Sequence, residues 1–158
     1  MSSTFLEKLL LSIPAKLNAT QPKVRKCTNF NDKLDTTTIE KVDWGQELTL
    51  FYGINIFKPS LVGIYQTQKS KNDNGIAWKY FKTLKSKTNI DSLFIYQNKL
   101  GKTDSIKAFG SNNTIFFRSK LAYLLVFKGK NLHKYGVKSE KIFIWGKKDA
   151  FSMLATLQ

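Results

Sequence analysis

Three side chains in one short segment have the types and order of a nucleic-acid-cutting centre: Asp91, Gln97 and Lys99, within Asp-Ser-Leu-Phe-Ile-Tyr-Gln-Asn-Lys. Some metal nucleases pair an Asp with a Glu or Gln, one spacer and a Lys, so that the oxygens hold a divalent ion beside the phosphate. In such sites the Asp and the second pair lie on neighbouring strands. Here all three would share one face of a single strand at two-residue steps, and one carboxylate is thin support for a divalent cation. His133 is the only histidine, which removes Ser-His-Asp, Cys-His and multi-histidine metal chemistry. Cys27 is the only cysteine, so neither an intrachain disulfide nor a Cys-based metal site can form, and the compartment is expected to be reducing. The expectation is a protein that is not an enzyme, with no cofactor, no metal and no small-molecule substrate.

Charge points elsewhere. The chain has 26 Lys and Arg against 11 Asp and Glu, a formal +15 over 158 residues. A balance of that size repels itself in the compact state, and a polyanion relieves the repulsion. Residues 1–57 are close to neutral at +1, with Lys8, Lys16, Lys23, Arg25, Lys26, Lys33 and Lys41 set against six acids. The excess lies beyond residue 57. Only Arg25 and Arg118 are arginine; lysine meets phosphate as a point charge, whereas arginine supplies the fork that reads bases, so binding is expected to follow the nucleic-acid backbone. Aromatics interleaved with cations, Trp78, Tyr80 and Phe81 beside Lys79 and Lys82, and Phe116 and Phe117 beside Arg118 and Lys120, can stack on bases or simply fill the core. The Lys, Asn, Ile and Phe bias is what an A+T-rich genome encodes, as in an organelle, an intracellular parasite or a virus.

The elements that must position these groups read as α+β. Ser3 or Thr4 can cap a first helix through Phe5, Leu6, Leu9 and Leu10, which Pro14 is expected to stop. Residues 18–38 read as a connector, Glu47–Phe57 as a strand closed by Pro59, and Leu61–Gln66 as its partner. Lys69–Gly75 reads as a turn and Ile76–Leu84 as a short amphipathic helix. Ile90–Tyr96 is a strand, Gly101–Ser105 a loop, Thr114–Phe117 and Leu121–Phe127 β-rich runs, and Lys128–Asn131 a turn. Glu140–Trp145 is a strand, Gly146–Asp149 a turn, and Ala150–Leu157 a helix behind Asp149. The whole is one globular domain over 1–158: a mostly antiparallel sheet with a few short helices packed on it and a C-terminal strand-turn-helix unit. No run approaches the roughly 18–20 apolar residues of a membrane span, and the opening Phe5–Leu11 segment does not read as a targeting signal.

The segment from Ser139 to Gln158, through Ile142, Ile144, Gly146, Lys147, Lys148, Asp149, Ala155 and Leu157, resembles the C-terminal module of the large-subunit ribosomal protein six family. There a strand ends in Gly, a charged turn follows, and a helix packs back on the sheet; Phe127–Val137, with Gly129, His133 and Val137, loosely echoes the preceding strand. The resemblance implies a structural constituent of a ribosome, mitochondrial or otherwise organellar and organelle-encoded, contacting rRNA and neighbouring ribosomal proteins. The expected RNA contacts are Lys69, Lys71, Lys79, Lys82, Lys85, Lys87, Arg118, Lys120, Lys128, Lys130, Lys134, Lys147 and Lys148, chiefly in loops and turns. The alternatives are a DNA-binding or DNA-processing protein of a phage, virus or mobile element, and an accessory subunit docked on anionic lipid, which needs an exposed apolar surface.

Overall fold

In the computed structural model, which describes residues 3–71, 74–85 and 88–158 apart from the side chains of Ser3 and Thr4, nine strands form one antiparallel sheet. Helix α1 (Ser3–Thr20) leads to a hairpin of β1 (Val24–Phe30) and β2 (Lys33–Ile39). A single helical turn, α2 (Trp44–Glu47), and two 3₁₀ turns (Thr49–Ile54 and Pro59–Leu61) follow. The rest is a meander: β3 (Tyr65–Lys71), β4 (Ala77–Thr83), β5 (Ser92–Gln97), β6 (Thr103–Asn113), β7 (Phe117–Lys128), β8 (Asn131–Phe143) and β9 (Lys148–Leu157). Strand β1 pairs with β9, so the order is β2-β1-β9-β8-β7-β6-β5-β4-β3.

Strand alternation divides the sheet into an inner face under the helical layer and an outer face on which, among the described residues, no second layer packs. The inner face contributes Leu93, Ile95, Ile106, Leu125, Tyr135 and Ala155 to the core, and the helical layer contributes Leu6, Leu10, Ile13, Leu17, Trp44 and Phe51. Tyr135 is the pivot. Its ring meets Trp44 and Phe51 edge to face at 6.0 Å each, and its hydroxyl donates to Glu47 Oε1 at 2.7 Å. Lys26 pairs with the same Glu47 oxygen. Burial, then the hydrogen bond to the Glu47 carboxylate, raises the Tyr135 pKa far above its ordinary value, so the phenol stays a donor.

Several elements differ from the sequence expectation, each for a physical reason. Helix α1 passes through Pro14. A proline inside a helix costs about 3 kcal/mol, but Leu6, Leu10, Ile13 and Leu17 bury one stripe, each worth about 2 kcal/mol. The helix ends instead at Gln21, which takes a positive φ of 42° ahead of Pro22. Its side-chain amide donates to Val42 O and accepts from Val42 N, both at 3.2 Å, tying the helical layer together. The expected Ser3 or Thr4 cap involves side chains outside the described residues.

Residues 18–38 are not a connector: Asn31 and Asp32, both at positive φ, make a two-residue hairpin turn between β1 and β2. Glu47–Phe57 is not a strand: Glu47 ends α2 and Thr49–Ile54 is a 3₁₀ turn. Trp44, Leu48, Phe51 and Ile54 recur at three- to four-residue steps and are all buried, and Asp43 Oδ1 caps the start by accepting from Gly45 N and Gln46 N. The expected partner Leu61–Gln66 becomes a strand only from Tyr65.

Lys69–Lys71 belong to β3 rather than to a turn, and Asn72 and Asp73 lie outside the described residues. The expected helix Ile76–Leu84 is instead the strand β4 over Ala77–Thr83, flanked on both sides by ladders to β3 and β5. The Gly101–Ser105 loop gives way at Thr103 to β6. Ala150–Leu157 is a strand, so the C-terminal strand-turn-helix unit is a strand-turn-strand. Met153, Ala155 and Leu157 fit a period of two as well as a helical period, and ladders to both β8 and β1 decide between them. The resemblance to the ribosomal family implied a helix at this place.

Tyr135→Phe removes the hydrogen bond to a mostly buried carboxylate and is expected to destabilise the protein by about 1.5–3 kcal/mol in urea unfolding monitored by circular dichroism. Phe51→Ala, which opens the same cluster, is expected to cost about 3–5 kcal/mol. A Tyr135→Phe protein as stable as the wild type would remove this contact from the account of the core.

Candidate nucleic-acid interface

The outer face is built in rows that run across the strands. One row reads Gln68, Tyr80, Phe94, Lys107, Leu124, Gly136, Leu154, Cys27 and Thr36, each residue opposite the next in a ladder. A second row contains Trp78, Tyr96, Ser105, Val126, Lys134, Thr156 and Arg25. A third contains Lys82, Ser92, Phe109, Ala122, Lys138, Ser152 and Asn29.

The rows separate two kinds of surface. On β4, β5 and β6 five aromatics lie together: Trp78, Tyr80, Phe94, Tyr96 and Phe109. Tyr80 stacks on Phe94 at 4.4 Å and 22°, Phe94 is near-parallel to Tyr96 at 6.2 Å and 12°, and Phe109 meets Phe94 edge-on at 6.1 Å. The Lys107 ammonium lies 5.5 Å from the Tyr96 ring centre. None of the five belongs to the hydrophobic core. On β2, β1, β9, β8 and β7 the same rows form a mainly apolar groove of about 450 Å³.

Cations dominate the paired outward positions of the strands. Arg25, Lys82, Lys107, Arg118, Lys120, Lys134, Lys138 and Lys148 stand there, and Glu140 is the acid among them, 3.7 Å from Lys138. An open sheet carrying grouped aromatic rings among an excess of lysines offers the two contacts that single-stranded nucleic acid needs: faces for bases and charges for phosphates.

The structure brings together only part of the set expected from sequence. Lys82, Arg118, Lys120, Lys134 and Lys148 share the outer face. Lys69, Lys71 and Lys79 have the parity of Phe81, whose ring is buried, so they lie on the opposite side near the β3 edge, with Lys69 directly across from Lys79. Lys128 and Lys130 sit at the β7–β8 turn and Lys147 at the β8–β9 turn, at opposite ends of the sheet. Lys85 follows β4, and Lys87 lies outside the described residues. Among the aromatics, Trp78 and Tyr80 face outward, Phe81 is core, and Phe116 is exposed in the β6–β7 turn. Phe117 is on the inner side, with the Lys141 ammonium 4.4 Å from its ring centre.

Arg25, Lys107, Lys138, Phe94, Tyr96 and Phe109 were not singled out from sequence. Their signal is there in the alternation of Ser-Leu-Phe-Ile-Tyr and Ser-Ile-Lys-Ala-Phe, where every second residue is buried; which alternate faces water depends on where the helical layer docks. Asp91 lies just before β5, where its carboxylate accepts from Ser111 Oγ at 2.9 Å, whereas Gln97 ends the strand and Lys99 follows it. Among the described residues no three His, Cys, Asp or Glu side chains gather as a metal site. No helix among them is long and apolar enough to cross a membrane. No protein-family model, curated protein or solved structure matches the chain.

His133 precedes Lys134 in β8 and lines a groove with Ile13 and Leu17 of α1 on the helical side of the sheet. Partial desolvation, then the Lys128 and Lys134 ammonium groups, hold its pKa below the ordinary 6.5. Folding therefore favours the neutral ring, and that stability is lost as pH falls from 6.5 through the lower folded value. A phosphate bound beside Lys134 offsets the repulsion. In an NMR titration the His133 pKa is expected to lie below 6.5 in the free protein and to rise when oligouridylate binds, so that binding tightens as pH falls. An unchanged His133 titration on binding would place the nucleic acid away from this end of the sheet.

Proposed function

We propose that this protein is an RNA-binding component of a ribonucleoprotein, holding single-stranded RNA across the outer face of its sheet. The observation that carries the reading is the grouping of five aromatic rings on β4–β6 within a field of eight outward cations and one acid. Bases lie on the ring faces, and lysines on flanking strands meet the phosphates. A duplex hides its bases and gains only the charge term, so single strands are preferred. The ribosomal form of this proposal, with rRNA and neighbouring ribosomal proteins as partners, rests on the match of residue types from Ile142 to Leu157 alone, since the helix that the resemblance implied there is strand β9. The Lys- and Asn-rich composition fits an organelle-encoded product as well as a viral one.

The second reading, a DNA-binding protein of a phage, virus or mobile element, shares the charge and the stacking rings. The two differ over the 2′-hydroxyl, which the serines and glutamines beside the rings, Ser70, Ser105, Gln66 and Gln68, can meet by hydrogen bonding. This favours RNA.

Fluorescence anisotropy with a labelled oligouridylate, its duplex and oligothymidylate tests the proposal. Single-stranded RNA is expected to bind tightest, with log affinity falling against log salt by about 0.7 per phosphate contact. Tyr80→Ala with Phe94→Ala is expected to weaken binding by about tenfold or more, and Lys69→Ala with Lys79→Ala by little. Equal affinity for duplex, or an undiminished Tyr80/Phe94 double variant, would overturn the reading.

A further inference from the structure

The groove on the other half of the outer face has a different chemistry from the aromatic half. In its central row Leu124 and Leu154 stand on either side of Gly136. Gly136 adds no side chain of its own and lets β9 pack close: a Cβ there would stand 2.7 Å from Met153 O and 3.2 Å from Leu154 Cδ1. The floor continues through Ala122, with Phe109 on β6 as one wall and Leu34 on β2 as the other. The volume of about 450 Å³ is in the range of small-molecule sites. The charged side chains lining it are Lys107 and Lys138. Lys138 is partnered only loosely by Glu140, at 3.7 Å with both side chains more than half exposed.

An apolar trough with cations as its only charges selects by two criteria. The leucines, alanine and phenylalanine favour a hydrocarbon or ring body over a base edge, for which the trough has few donors and acceptors. The two ammonium groups favour a negative head. We propose that this groove binds one molecule of a monomeric amphiphilic anion, an apolar chain or ring system carrying a carboxylate, of which a medium-chain fatty acid is the simplest example. The site does not depend on the RNA reading, since it shares only Phe109, Lys107 and Lys138 with the surface assigned to RNA.

The protein carries its own reporter. Cys27, the only cysteine of the chain, is exposed and lines the groove, so its alkylation by iodoacetamide in the full-length protein reads occupancy directly. Decanoate below its micellar concentration is expected to slow alkylation by about tenfold at saturation. Lys107→Gln with Lys138→Gln, both exposed and outside the core, is expected to raise the half-protecting concentration about tenfold, and 1-decanol to protect far less than decanoate. Three results would overturn the proposal: no protection by decanoate, protection undiminished in the double variant or equal with 1-decanol, and protection by phosphatidylglycerol vesicles without protection by the monomer. Oligouridylate anisotropy on the same samples keeps the two readings apart. Loss of decanoate protection with RNA binding intact rejects the groove alone, and the reverse rejects the RNA surface alone.

Discussion

One helical layer covers the middle of a nine-stranded sheet on one side, leaving the edge strands β2 and β3 largely exposed. The contact that fixes this is the docking of Trp44 and Phe51 on Tyr135, with the Tyr135 hydroxyl and the Lys26 ammonium converging on Glu47. Once that seam is made, strand alternation assigns every other side chain: Leu93, Ile95, Ile106 and Leu125 go under the helices, and their neighbours go to water. The outer face is thus a consequence of the inner one. Aromatic rings stay there without a covering layer because they shield one another, Tyr80 on Phe94 and Phe109 against its edge.

The charge asymmetry of the sequence acquires a different meaning on this frame. The near-neutral segment to residue 57 supplies most of the cover, the edge strand β2 and its neighbour β1, while the meander supplies most of the cations. Because β1 pairs with β9, Arg25 from the first part joins the row of Lys134 from the second. The positive surface is therefore assembled across the chain, on the flat of the sheet as well as at its turns. That geometry suits a flexible polyanion laid over strands, with lysine contributing charge and the rings contributing orientation.

Much of this was legible before the fold was known, and what was not has identifiable causes. The antiparallel sheet, strand β5, the turn at Gly129 and the end of β8 from Glu140 follow from β-branched and aromatic runs between turn residues. The C-terminal segment misleads because Met153, Ala155 and Leu157 satisfy two periods at once, and only neighbours far away in sequence choose between them. Pro14 misleads because a local rule is outweighed by a buried stripe. Trp44, Leu48, Phe51 and Ile54 carry a helical spacing that the β-prone composition of Leu48–Phe57 conceals. Lys82, Arg118, Lys120 and Lys134 could be identified as contact candidates from charge alone. Lys107 and Lys138 could not, since the face a lysine occupies is a property of register.

The claim that the outer face is an RNA platform is tested most directly by photocrosslinking oligouridylate to the wild-type protein and mapping the attached peptides by mass spectrometry. The account predicts crosslinks on β4, β5 and β6 at Trp78, Tyr80, Phe94, Tyr96 and Phe109. Crosslinks confined to the exposed turn residues Phe116 and Trp145, or to the helical side of the sheet, would contradict it.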